Sequence, residues 1–68
     1  MKEYEALVSL ADIANGNGNI YTVTDYAFGF IPFKNEENMV EKVGNDFFSI
    51  AHWLLVEAEE NFKAVHGK

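Results

Sequence analysis

An α+β fold in a single domain, residues 1–68, is what this sequence predicts, and three stretches predict it. Residues 2–14 place Tyr4, Leu7, Val8, Ala11 and Ala14 three and four apart. Residues 19–33 are dominated by β-branched and aromatic side chains, and the segment after Asn45 returns to an apolar stripe of helical period. The expected order is an N-terminal helix, a β-hairpin, a short helix and a long C-terminal helix, α-β-β-α-α, with the hairpin packed on the helical layer.

The first helix is placed at 2–14, with Glu3 and Glu5 in its opening turn, where they suit the positive end of the helix dipole. Strands are expected at about 19–25 and 28–33, with the reversal near Asp25, Tyr26 and Ala27. Gly29 offers an alternative, marking a bulge or moving the turn. Pro32 has no N–H to donate, so the second strand should lie at an edge or point that position away from a partner. Asn35 followed by Glu36 and Glu37 reads as an N-cap with acids in the first turn of a short helix over 36–43. Gly44 interrupts it, the alternative being one helix kinked at that glycine. Asn45 or Asp46 then caps a helix running to about His66, and Gly67 follows as a stop.

Sixty-eight residues lie near the lower limit for a self-sufficient core, and with no cysteine neither disulfides nor thiolate chemistry can add to it. A cytoplasmic chain is the expectation. Eleven acidic residues against five lysines give a net charge of −6, which repels phosphate backbones and anionic lipid. Direct nucleic-acid and membrane binding are therefore not expected, and the longest apolar run, Trp53 to Val56, is far too short for a span. A basic protein partner, by contrast, would be attracted.

The stretch NGNGNI, Asn15 to Ile20, looks like the centre of an EF-hand calcium loop, with Asn15, Asn17 and Gly18 at the third, fifth and sixth positions. The first and twelfth positions then fall on Ile13 and Thr24, which supply no carboxylate. A phosphate cradle is no better, because the stretch follows a helix and precedes a strand, the reverse of the usual order. The reading that uses every residue is a helix stop and a turn into the first strand.

Asp46, Ser49 and His52 recur every three residues, but one helix face does not supply the geometry of a catalytic triad, and Asp46 reads as a cap. His52 and His66 have no ligand partner at helical spacing, and Glu59 can pair with Lys63 at i,i+4. No catalytic residue, metal site or cofactor is assigned.

The informative segment is FFSIAHWLLV, Phe47 to Val56. Phe47, Ile50, Ala51, Leu54, Ala58, Phe62 and Val65 make one apolar stripe, which leaves Phe48, Trp53, Leu55 and Val56 over. Such a helix is central to its fold or meets another chain. The expectation for function is accordingly a small acidic protein-binding module, with Glu36, Glu37, Glu41, Glu57, Glu59 and Glu60 steering and Trp53 and Phe30 anchoring. In size, acidity and lack of catalytic groups the chain is similar to small inhibitors encoded by phages and mobile elements, including anti-CRISPR and anti-restriction proteins. That similarity is one of profile without a motif, and it implies inhibition of a nucleic-acid-handling protein by surface occlusion. The alternative is a homo-oligomeric assembly domain, most simply a homodimer.

Overall fold

The chain alternates between segments that can bury one stripe and short polar connections, and the computed structural model, which describes residues 2–67, follows that division. Its elements are α1 (Lys2–Ala14), β1 (Tyr21–Tyr26), β2 (Gly29–Lys34), β3 (Glu37–Asn38), α2 (Val40–Val43) and α3 (Phe47–His66). The strands form one antiparallel sheet in the order β1-β2-β3. The α+β class read from the sequence is the fold, and residues 1 and 68 of the expected domain lie outside the described residues.

One face of the sheet meets the helices. Leu7, Ala11 and Ala14 of α1, Tyr21 and Val23 of β1, Phe30 of β2, and Ile50 and Leu54 of α3 make a single buried cluster. In β1 the alternation of inward Tyr21 and Val23 with exposed Thr22 and Thr24 is the period of two expected of a half-buried strand. Tyr4 stacks on Phe30 with ring centroids 6.5 Å apart, closing the end of the core nearest the start of α1.

NGNGNI is a helix stop and a turn. Gly16 and Asn19 exchange backbone hydrogen bonds of 3.0 and 2.8 Å around Asn17 (φ 52°) and Gly18 (φ 80°). Two successive left-handed residues make a tight reversal whose twist matches the following strand. Asn15 directs its Oδ1 to the N–H of Tyr21 at 2.6 Å, fixing where β1 begins.

The first hairpin turns one residue later than the sequence suggested. Tyr26 pairs with Gly29, so Ala27 and Phe28 are the loop. Gly29 explains the shift: its φ of 144° is open to glycine, and a Cβ there would lie 2.6 Å from the carbonyl oxygen of Asn45. That carbonyl accepts from the N–H of Phe30 at 3.0 Å, tying the hairpin to the entry of α3.

The short helix over 36–43 is corrected. Asn35 (φ 53°) and Glu36 (φ 71°) are both left-handed and form a two-residue turn into a third strand, with Lys34 opposite Glu37 and Phe33 opposite Asn38. Asn35 is thus a turn residue and no helix cap. It is held by its N–H to the Ile20 carbonyl at 2.8 Å and by its Oδ1, which accepts from the Ile20 N–H at 2.9 Å. Helix α2 is only the four residues Val40–Val43.

Pro32 decides where β3 ends. It lies in the middle strand, buried, and its carbonyl accepts from the Met39 N–H at 2.8 Å. With no N–H it cannot return a bond to the Met39 carbonyl. That carbonyl accepts instead from Lys42 and Val43 at 3.0 and 2.8 Å, so pairing stops and α2 starts at one atom. Of the two caps proposed for the last helix, Asp46 is the one used, its carboxylate accepting from the Ser49 N–H at 3.0 Å.

Candidate functional site

The more buried polar side chains are engaged with one another. Asn61 of α3, only 7% exposed, donates through Nδ2 to the Ala14 carbonyl and to the Tyr21 hydroxyl, both at 3.0 Å. Its Oδ1 accepts from Asn19 Nδ2 at 2.9 Å. Tyr21 in turn donates to Glu57 Oε1, which also accepts from Lys34 Nζ at 3.1 Å. One asparagine therefore ties the end of α1, the start of β1 and the C-terminal half of α3 together.

Burial first, and then the Glu57 acceptor, push the Tyr21 hydroxyl above the ordinary tyrosine range. The hydrogen bond to Glu57 pushes the Lys34 ammonium up against the opposing effect of burial. Both shifts keep the proton where it is, the reverse of what a nucleophile or base at neutral pH needs. Asp46 is held below the usual carboxylate range by the bonds from Ser49. It is a cap in the structure as in the sequence, and His52 is exposed. Among the described residues, no three of His, Cys, Asp and Glu converge as a metal site. No helix among them is long and apolar enough to cross a membrane.

The eight residues expected to bind a partner are separated by the fold. Glu36, Glu37 and Glu41 are exposed around the β2–β3 turn and α2, with Glu37 3.8 Å from Lys42. Glu57 is drawn into the polar network. Glu59 pairs with Lys63 at 3.2 Å, and Glu60 is exposed. Phe30 lies in the core, and Trp53 is half-buried with its ring edge-on to Tyr21 at 5.4 Å. Neither aromatic is a free surface anchor.

The large apolar side chains that stand exposed are others. Phe28, at the hairpin tip, is 85% exposed, and along α3 Phe48, Leu55 and Phe62 are 79, 55 and 63% exposed. Those three are seven residues apart, two helical turns, and so share one flank. Phe48 and Leu55 were among the residues left over from the apolar stripe. Phe62 and Val65, which the helical spacing puts in the stripe itself, are exposed, a correction to that expectation. The reason is that α1 ends at Ala14, and at that level Asn61 takes the inward position. Beyond it, Ile13 of α1 with Phe62 and Val65 of α3 walls an open cleft of about 330 Å³.

With this geometry in hand, comparison with known proteins adds no assignment: no family model, no curated protein and no solved structure matches the chain.

Proposed function

We propose that the chain is a non-catalytic protein-binding module. The observation that carries this reading is the contrast among its side chains: the more buried polar groups, Tyr21, Lys34, Glu57 and Asn61, are joined by mutual hydrogen bonds, whereas large apolar side chains, Phe28, Phe48, Leu55 and Phe62 among them, stand in solvent. A pocket with convergent, unengaged polar groups would favour a ligand or a reaction. Exposed aromatics favour a protein surface.

The acids suit a basic partner. Glu36, Glu37 and Glu41 lie exposed on the connection from β2 to α3, where Lys42 offsets part of their charge. A protein that handles nucleic acid offers the complementary basic groove, and occupation of that groove would inhibit it in the manner of the small phage-type inhibitors. The test is affinity capture with the chain as bait at low and high salt, the retained proteins being identified by mass spectrometry. One dominant basic protein, reduced at high salt and lost when Glu36, Glu37 and Glu41 are all replaced by lysine, is the expected result. Retention indifferent to those three substitutions removes these acids from the reading.

A further inference from the structure

Helix α3 carries a stripe that maps onto itself when the helix is reversed. Phe48 and Phe62 lie seven residues before and after Leu55, and the small residues Ala51 and Ala58 lie four before and three after it. A two-fold axis through Leu55 therefore sets Leu55 on its own copy, each Phe48 beside a Phe62 of the other chain, and the alanines across from each other. Large side chains meet at the ends and centre, while Ala51 and Ala58, partly buried against the core along one edge of the stripe, add no bulk between them. This is the self-complementarity that an isologous contact requires. A repeat of seven also keeps the stripe on one flank, drifting by only about 20° per two turns, which suits helices crossing at a shallow angle.

Charge points the same way. No Asp, Glu, Lys or Arg lies on the stripe itself, although the chain carries −6 overall. A basic partner would find nothing to pair with there. A second copy finds an uncharged strip bordered by His52 and Glu59, and the reversed alignment brings each His52 near a Glu59 of the other chain. Phe48, Leu55 and Phe62 are exposed along this stripe, and Ile13 and Val65 are exposed as well. Here they lie on a domain with only 4591 Å² of surface.

We propose that a second copy of this chain covers the α3 flank, antiparallel about Leu55, to form a symmetric dimer. This deepens the protein-binding reading, on which it rests, by naming the occupant of the uncharged surface. Because each chain is acidic, added salt screens their repulsion and strengthens the dimer, the opposite of its effect on a basic partner.

Sedimentation and light scattering at rising concentration test the proposal. The expected species has twice the 7.7 kDa chain mass at high micromolar concentration, and Leu55→Glu raises the dissociation constant by roughly thirtyfold or more, the range of an interface hot spot. Phe28→Glu, off the flank, leaves it unchanged. Far-UV circular dichroism verifies that each variant is folded. The chain has no cysteine, so Leu55→Cys supplies a single thiol that should form an intermolecular disulfide. Phe48→Cys mixed with Phe62→Cys should cross-link more than either alone. A monomer at high micromolar concentration overturns the inference, as does a dimer that survives Leu55→Glu. A monomer that still retains a salt-sensitive basic protein leaves the acidic reading standing; a dimer that retains none keeps the inference and removes that part of the reading.

Discussion

Two flanks of α3 run side by side and reverse the usual distribution of side chains. The inward flank carries Ile50, Leu54 and the amide of Asn61, all buried, while the adjoining one carries Phe48, Leu55 and Phe62, more than half exposed. Hydrophobicity alone would have put Phe62 inside and Asn61 out. The order observed follows from what stands opposite each position. At Leu54 the neighbours are apolar side chains of the core, which an aliphatic group fills. At Asn61 the neighbours are the Ala14 carbonyl at the end of α1, the Tyr21 hydroxyl and Asn19, which hydrocarbon would leave unsatisfied. Burial in so small a domain is thus assigned by the polar ends of elements as much as by apolar content.

The largest expected effect breaks the inward flank. Leu54→Ala removes a fully buried side chain and should lower unfolding free energy by about 2–5 kcal/mol, measured by urea titration of the circular dichroism signal. A domain of this size has little more stability than that to lose, so partial unfolding in the absence of urea is the expected appearance. A loss below about 1 kcal/mol would mean that Leu54 lies at a surface, which sets the scale for the comparison.

Next in size is Asn61→Ala, which leaves the Ala14 carbonyl and Asn19 without their partner and should lower unfolding free energy by about 1–3 kcal/mol. Its signature is local. Amide exchange should accelerate at Asn19, at Tyr21 and around the end of α1 before it does in the rest of the core, because those three places are joined through this side chain. Uniform acceleration would show that Asn61 contributes only packing.

These two positions mark how far the sequence could be read. The helical stripes of α1 and α3, the Asp46 cap and the NGNGNI turn are legible because each is decided by residues a few positions apart. The third strand is not: Asn35-Glu36-Glu37 has the pattern of a helix start, and only the pairing of Lys34 with Glu37 and the missing N–H of Pro32 make it a turn, a strand and a late short helix. Of the candidate site, the surplus at Phe48 and Leu55 was visible as apolar residues beyond one stripe. Phe30 and Phe62 exchanged roles because their burial depends on Tyr4 stacking on the first and on α1 ending before the second. Contacts 26 and 47 positions apart, Tyr4 with Phe30 and Ala14 with Asn61, leave no local pattern to read.

The smallest expected effect concerns the outer flank and is the most discriminating for that reason. Phe62 touches little of its own chain beyond the cleft it walls and the ring of His66, 4.3 Å away between centroids, itself exposed. Replacing it with serine therefore removes apolar area that folding does not bury, and at concentrations where the chain is monomeric the unfolding free energy should change by no more than about 0.5 kcal/mol. The same substitution at high concentration should cost more, since a contact that exists only between copies contributes to stability in proportion to how fully the dimer forms. A concentration-independent loss comparable to that of Leu54→Ala would place Phe62 in the monomer's core and erase the distinction between the two flanks. A loss that grows with concentration would place the missing cover of α3 on another copy of the chain.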